Sequence, residues 1–213
     1  MEKEIKLVST SEGWKKLFSL PLIQEHILPG TEKFVELQNV YYDTPDMVLT
    51  KAGLAYRIRQ INGKQWEATV KTKGTTHNGI SLREEYTVPV TQPFPVGKGF
   101  SPAMDAQLCS LLKGKSWEPF CTVSFTRHLA LLDLGQGNQA EVALDRGTIC
   151  AGGNKEPLAE VEVECKRGNM EATLAFVKDL QVMVPLQPEN RSKLARGLAL
   201  LENKKNKSQK NEK

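Results

Sequence analysis

The chain has 213 residues, of which 39% are hydrophobic and 25% charged, an ordinary composition for a soluble globular protein. Its formal net charge of +4 does not indicate a nucleic-acid partner, because the last ten residues hold five lysines and one glutamate and carry the whole excess. No apolar run approaches the ~18 residues that span a bilayer, and no signal peptide opens the chain, so we expect a cytoplasmic protein.

Four cysteines lie far apart in the sequence, at Cys109, Cys121, Cys150 and Cys165. They form no C-x-x-C pair, and their spacing is not typical of a zinc site. We therefore predict buried thiols in a reducing compartment.

Alternating apolar and polar residues predict five strands in the first half of the chain. Thr10 and Ser11 offer capping oxygens to a helix, and Asn62-Gly63 predicts a tight antiparallel hairpin. Glu84 falls on the apolar side of its strand and does not fit the pattern. The predicted strands cover residues 2–8, 35–42, 54–61, 64–73 and 80–90, and a helix follows over about residues 102–112.

The second half of the chain is predicted to hold further strands and two closing helices. Residues 120–134 are long enough for one bent strand or two short ones. The lysine-rich segment 204–213 has no apolar residue to bury, so we expect one domain over residues 1–203 and a disordered tail. The remaining strands are predicted over residues 140–144, 148–151 and 158–165, and the helices over about residues 169–183 and 191–202.

Carboxylates recur at alternate positions in the first and the last long strands. Glu2 and Glu4 share one strand face with Lys6, and three further glutamates alternate with apolar residues between positions 160 and 164. Three carboxylates in line repel one another unless a cation compensates them. Oxygen-rich clusters of this kind suit Mg²⁺ or Mn²⁺.

Cations alternate with apolar residues on three successive strands in between. Arg57, Arg59, Lys71, Lys73 and Arg83 would form one patch for phosphate oxygens if these strands are neighbours. If the sheet closes into a barrel, this patch faces the carboxylates across a polar, charged interior, with apolar residues outward beneath the helices. Such an interior suits a metal bound to a linear polyphosphate.

A series of short charged motifs follows one order along the chain. The motifs are Glu-x-Glu-x-Lys at Glu2, Glu4 and Lys6, Tyr42-Asp43-Thr44-Pro45, Arg-x-Arg at Arg57 and Arg59, Lys71, Arg-x-Glu at Arg83 and Glu85, Arg127, Glu141 with Asp145, Glu-x-Glu-x-Glu at Glu160, Glu162 and Glu164, and Ser192-Lys193. Over about residues 1–200 this series resembles the CYTH domain, or triphosphate tunnel metalloenzyme, superfamily, which includes bacterial inorganic triphosphatases.

The resemblance implies an α+β fold, an eight-stranded antiparallel β-barrel that forms a tunnel with helices packed outside, and triphosphate hydrolysis or cyclisation with Mg²⁺ or Mn²⁺. Lys6 and Glu85 are the candidates for a catalytic role, although no general base is evident and Glu85 could orient water or fix an arginine. Which late glutamates bind the metal directly stays open. The metal ligands so implied are Glu2, Glu4, Asp145, Glu160, Glu162 and Glu164. The phosphate-binding residues so implied are Lys6, Arg57, Arg59, Lys71, Arg83, Arg127 and Lys193.

Our first hypothesis is a metal-dependent triphosphatase that hydrolyses inorganic tripolyphosphate, because nothing in the sequence obviously recognises a base or a thiazolium ring. The alternatives are a class IV type adenylate cyclase, a nucleoside or thiamine triphosphatase, and a non-catalytic polyphosphate-binding module. Retention of all the expected acids disfavours the last of these. We expect a small-molecule triphosphate partner, and neither nucleic acid nor membrane; a homodimer is compatible with a barrel enzyme, but no residue favours it.

Overall fold

One antiparallel sheet dominates the computed structural model, which describes residues 2–9 and 12–211. Eleven strands are assigned within those residues. They are β1 (Glu2–Ser9), β2 (Lys33–Asp43), β3 (Ala55–Ile61), β4 (Gln65–Lys71), β5 (Thr75–His77), β6 (Ile80–Arg83), β7 (Glu85–Val90), β8 (Glu118–Asp133), β9 (Gln139–Ala151), β10 (Asn154–Arg167) and β11 (Leu186–Pro188).

The strands follow the order β5-β6-β1-β10-β9-β8-β2-β3-β4-β7, and β11 pairs with β1. The sheet is strongly curled, as the predicted barrel requires, and the predicted α+β fold is confirmed. The strand count differs from the predicted eight because β5, β6 and β11, each of three or four residues, add to eight longer strands. The hairpin predicted at Asn62-Gly63 joins β3 to β4.

The segment over residues 80–90 is two strands and not the single strand predicted. β6 pairs with β1, whereas β7 pairs with β4, so the chain changes partner at Glu84. The Glu84 carbonyl accepts a hydrogen bond from Thr72 N at 3.0 Å, and its exposed side chain accepts one from Tyr86. This change of partner explains why Glu84 does not fit the apolar alternation. Through this one residue the chain passes from β6, next to one end of the strand order, to β7 at the other end.

Five α-helices and one 3₁₀ helix are assigned in the same described part of the chain. Ser101 and Asn169 cap two of them by accepting hydrogen bonds from Met104 N and Ala172 N. The helices are the 3₁₀ helix (Glu12–Ser19), α1 (Pro21–Gln24), α2 (Val48–Lys51), α3 (Pro102–Leu112), α4 (Met170–Met183) and α5 (Lys193–Asn211). None of them combines the length and the apolar character that crossing a membrane requires.

Several boundaries differ from the predicted ones. The segment predicted over residues 120–134 is one long strand, β8, which begins at Glu118 and ends at Asp133. The two strands predicted over residues 140–144 and 148–151 are one strand, β9. The predicted cap at Thr10 and Ser11 lies outside the described residues. α5 continues to Asn211, past the predicted end at residue 202, while the division into a domain and a disordered tail at residue 204 stays a prediction.

Apolar side chains cover the outer face of the sheet in two clusters. α4 and the 3₁₀ helix cover residues of β1, β8, β9 and β10 such as Ile5 and Val163, and α3 covers Tyr56 and Val70 of β3 and β4. The period of two in each strand places every charged neighbour of these residues on the concave face. The charged interior therefore follows from local alternation.

One part of the concave face is apolar, which corrects the prediction of a wholly charged interior. Val123 and Phe125 of β8 lie on the same face as Arg127, and α5 covers them with Leu194 and Leu198. The Lys193 ammonium lies 5.2 Å from the centre of the Phe125 ring, where the apolar part meets the charged part. α5 thus packs inside the curl of the sheet and bounds the charged space at one end.

The prediction of buried thiols is right for Cys121 and wrong for Cys109. Cys121 is buried under α5, and burial raises the pKa of its thiol to about 12. Cys109 is exposed on α3, and Cys150 and Cys165 are partly buried. All four are free thiols.

Candidate active site

A cavity of about 480 Å³ opens on the charged part of the concave face. Side chains from nine strands and from the start of α5 line it. Twelve of the fourteen site residues predicted from the sequence are in its wall: Glu2, Glu4, Lys6, Arg57, Arg59, Lys71, Arg83, Glu85, Arg127, Glu162, Glu164 and Lys193. The other two, Asp145 and Glu160, are fully buried behind it.

Glu2 and Glu4 of β1 meet cations from β4 and β6. The Arg83 guanidinium donates to Glu2 at 2.8 Å and to Glu4 at 2.7 Å, and the Lys71 ammonium contacts Glu2 at 2.8 Å. Burial raises the pKa of Glu2, but the charges of Lys71 and Arg83 outweigh burial and lower it overall. Glu2 is therefore ionised at neutral pH, as a metal ligand must be.

Glu85 of β7 contacts two phosphate-binding candidates. One of its oxygens lies 2.8 Å from the Lys71 ammonium, and the other lies 3.4 Å from the Arg57 guanidinium. Burial raises the pKa of Glu85, but Lys71 and Arg57 bring it down to about 2. A carboxylate with so low a pKa is a weak general base, so this geometry favours the alternative in which Glu85 fixes the cations.

Lys193, at the start of α5, reaches a buried group of three carboxylates. Its ammonium contacts Asp145 and Glu162 at 2.8 Å each, and it also contacts Glu160. Burial would lower the pKa of Lys193, but the three carboxylates raise it well above its ordinary value. The ammonium therefore stays charged, and it compensates the acids that the sequence assigned to a metal.

Arg127 of β8 completes this group from the other side. It donates two hydrogen bonds of 2.7 Å to Asp145, its neighbour across the β8–β9 pair, and one of 2.5 Å to Glu162. Lys6 lies 3.5 Å from Glu4 and 4.0 Å from Glu162, so it stands between the carboxylates of β1 and those of β10. These buried contacts fix the side chains in one arrangement.

Glu164 lies in a less compensated position than Glu162. Glu164 faces Glu4 across the β1–β10 pair and Glu141 across the β9–β10 pair, and Lys166 contacts it at 3.0 Å. Burial raises the pKa of Glu164, and the charges of Glu2 and Glu141 raise it further, against the opposing effect of Lys166. This excess of carboxylates is the local condition that a bound divalent cation relieves.

Two groups of acids could therefore hold a metal, and they fit it differently. Oxygens of Asp145, Glu160 and Glu162 lie within 4.8 Å of one another, but the Lys193 ammonium contacts all three. Along the β1–β10 pair, Glu2, Glu4, Glu162 and Glu164 present oxygens to the cavity itself. Cations also contact Glu2, Glu4 and Glu162, but this second set opens to the cavity, whereas Asp145 and Glu160 are buried behind it. The second set therefore fits a hard cation that keeps some of its waters.

Two cations of this site were not predicted from the sequence. Lys166 lines the cavity and continues the alternation of positions 160, 162 and 164 by one further step, a signal that was present. Arg196 follows Lys193 by three residues, which places both on one face of α5. It donates to Glu156 at 2.7 Å, to Glu160 at 3.2 Å and to the Pro157 carbonyl at 2.8 Å, and so ties α5 to β10.

This fold and this site define a class of protein in which a curled antiparallel sheet encloses opposed carboxylates and guanidinium or ammonium groups. The sequence profile of the CYTH domain matches residues 1–198, and the chain belongs to the CYTH domain family. The resemblance drawn from the short motifs is thereby confirmed.

A relative from Haemophilus influenzae, named inorganic triphosphatase, is 32% identical over 169 residues. The match covers 77% of this chain and 46% of that protein, so the chain spans about half the length of this relative.

Solved structures share the fold at lower sequence identity. One is a Hippeastrum protein described as a candidate adenylyl cyclase with a dominant triphosphatase activity, at a TM-score of 0.63, 19% identity, and coverage of 93% of this chain and 96% of that one. Another is a candidate adenylate cyclase from Bacillus halodurans, at a TM-score of 0.57, 24% identity, and coverage of 92% and 98%. At these identities the likeness concerns the fold alone.

Proposed function

We propose that this protein is a metal-dependent triphosphatase that hydrolyses inorganic tripolyphosphate to pyrophosphate and phosphate. The observation that carries the proposal is the division of charge in the cavity wall. Carboxylates of β1 and β10 line one side, with Glu164 the least compensated of them, and Arg57 and Arg59 lie across the cavity on β3. A metal-bound polyphosphate anion has the opposite distribution, with a cation at one end and free phosphate oxygens at the other.

Glu2, Glu4, Glu162 and Glu164 would hold the metal in this proposal. Bound Mg²⁺ or Mn²⁺ supplies neutralisation of phosphate oxygens and a lower pKa for coordinated water. Asp145 and Glu160 would instead hold Arg127, Lys193 and Arg196 in place, which modifies the assignment made from the sequence.

The protein's own cations bind and orient the substrate. Arg57, Arg59 and Lys71 line one wall, and their donors would bind phosphate oxygens and stabilise the charge that develops on the departing pyrophosphate. Glu85 holds Lys71 and Arg57 at fixed positions. Because the walls are formed by paired strands, this constellation is preorganised, which limits the cost of aligning a flexible polyphosphate.

The direct test is phosphate release from tripolyphosphate, ATP and thiamine triphosphate, each with Mg²⁺, with Mn²⁺ and with chelator. We expect fast release from tripolyphosphate that chelator abolishes. Preference for ATP with pyrophosphate and cyclic AMP as products would instead identify a cyclase. Tight tripolyphosphate binding without turnover of any substrate would identify a binding module and refute the enzymatic proposal.

Glu4→Gln separates catalysis from binding. It removes one charge from the metal-facing group, so we expect turnover to fall by about 100-fold or more while tripolyphosphate still binds in chelator. Glu36→Gln is the matched control, because Glu36 is exposed on β2 and does not line the cavity. Equal activity of the two variants would contradict the role given to Glu4.

A further inference from the structure

Arg59 differs from the other cations of the cavity in the group that holds it. Its Nε donates a 2.8 Å hydrogen bond to Oδ1 of Asn39, which is a neutral acceptor. Among the side chains that the structure describes, no carboxylate oxygen lies within 4.0 Å of the Arg59 guanidinium, and this includes Glu67, its cross-strand neighbour. Lys71 and Arg127, by contrast, each contact two carboxylates.

Two buried donors without partners lie beside this arginine. In the described residues, the buried side-chain nitrogens and oxygens that lack a hydrogen-bond partner are Nδ2 of Asn39 and Nε of Arg57. Asn39 is fully buried, and Arg57 is 7% exposed. Asn39 stands opposite Arg59, and Arg57 is one step further along the same face of β3. Buried donors without acceptors are rare in folded proteins. Of the two residues, Arg57 lines the cavity, where a ligand oxygen would accept from it.

The orientation of the Asn39 amide is fixed by its partner. A guanidinium only donates, so the atom that faces Arg59 Nε must be the amide oxygen, and the NH₂ group is the one left over. Burial, and then repulsion from Arg57 and Arg127, lowers the pKa of Arg59 to about 9. Arg59 is still protonated at neutral pH, and its charge is compensated less than that of its neighbours.

We propose that Asn39 is a positioning residue that sets the anion-binding end of the cavity, holding Arg59 through a neutral oxygen so that the whole guanidinium charge acts on a terminal phosphoryl group. The inference rests on the triphosphatase function proposed above and adds a residue that the charged motifs do not contain. An aspartate of the same size at position 39 would hold the guanidinium as firmly, but it would cancel the charge that attracts the substrate. The distinction between amide and carboxylate is therefore functional.

The test compares Asn39→Asp with Gln38→Glu. Both variants add one negative charge to β2, but Gln38 is exposed, on the opposite face of the strand. We measure KM and kcat for tripolyphosphate with Mg²⁺, the dissociation constant of tripolyphosphate in chelator by calorimetry, and the melting temperature. Asn39→Asp should raise KM and the dissociation constant about 10- to 100-fold, because a loss of affinity of this size corresponds to the free energy of one charge-assisted hydrogen bond.

The pattern across these measurements identifies a positioning role. For Asn39→Asp we expect the melting temperature to hold, and kcat to fall by a smaller factor than KM rises, because Arg59 also stabilises charge on the departing pyrophosphate. If this variant does not fold, Asn39→Leu, which keeps the volume but removes the acceptor, must also raise KM.

The same variants can overturn the inference. A KM for Asn39→Asp equal to that of Gln38→Glu, with an active wild type, would overturn the role of Asn39 and leave the triphosphatase proposal intact. A wild type that neither binds nor hydrolyses tripolyphosphate would overturn the proposed function, and the inference with it.

Discussion

Replacing Lys193 by methionine tests whether the ammonium at the start of α5 holds the buried acids together. Its side chain is 7% exposed and contacts Asp145, Glu160 and Glu162. Removing one partner of a buried ion pair costs about 3–5 kcal/mol, because the remaining charges stay buried. Arg127 and Arg196 still contact the three acids. The free energy of unfolding should therefore fall by an amount within that range of about 3–5 kcal/mol, even though three contacts of Lys193 disappear.

Lys166→Met is the matched control for this prediction. Lys166 is 37% exposed and contacts Glu164 at 3.0 Å, so its removal should cost at most about 1 kcal/mol. The free energy of unfolding is measured by urea titration at neutral pH in the presence of chelator, with circular dichroism as the signal. If Lys193→Met and Lys166→Met lowered the free energy of unfolding equally, burial of the Lys193 ion pairs would not be what sets the cost.

Added Mn²⁺ provides a second check on the Lys193→Met variant. Without the ammonium, carboxylate oxygens within 4.8 Å of one another become available to a hard cation. Mn²⁺ should therefore recover more stability in Lys193→Met than it adds to the wild type. No difference between the two would indicate that Arg127 and Arg196 move in to replace the lost charge.

Three further predictions concern metal binding, acid stability and packing. Saturating Mg²⁺ should raise the melting temperature of the wild type but not that of Glu164→Gln, each measured against the same protein in chelator. An equal rise in both proteins would argue against a metal site at the β1–β10 pair. The Glu85 carboxylate, whose pKa is lowered to about 2 from its ordinary 4.5, stabilises the fold at neutral pH and loses this effect as the pH falls between those values. Over that interval the free energy of unfolding of the wild type, measured with urea, should fall by about 2 kcal/mol more than that of Glu85→Gln. Equal falls in the two proteins would contradict this prediction. Gly147→Ala should cost about 1–3 kcal/mol, because a Cβ there would lie 2.0 Å from the Ser124 carbonyl oxygen, whereas Gly97→Ala, with open space around it, should cost almost nothing in the same assay.

Local alternation predicted which side chains face the cavity. In β1, β3 and β10 the period of two assigns each residue to a face regardless of which strand lies next to it. The helix predicted over residues 102–112 matches α3, which Ser101 caps and Pro102 begins. These features depend on neighbours a few residues away in sequence, so they can be inferred without the fold.

The partners of the charged groups could not be inferred in the same way. Lys193 contacts Asp145 across 48 positions of the chain, and the partner change at Glu84 depends on how β1 and β4 approach each other. Phe125 and Arg127 share one face, but only the position of α5 separates an apolar part from a charged part. Long-range register decides such contacts, and periodicity does not contain it. Cytoplasmic location and homodimerisation stay predictions.

The change of strand partner at Glu84 has a consequence for motion. Between β1 and β4 no ladder of backbone hydrogen bonds is assigned in the residues described, and the two strands are joined by the chain itself and by the Lys71–Glu2 ion pair. Because the chain crosses the seam at Glu84, widening the sheet there breaks the Lys71–Glu2 ion pair and pulls the short strand β6 away from β1, while the pairing of the long strands stays intact. Amide exchange along the short strands β5 and β6 should therefore outpace exchange in β8 and β9.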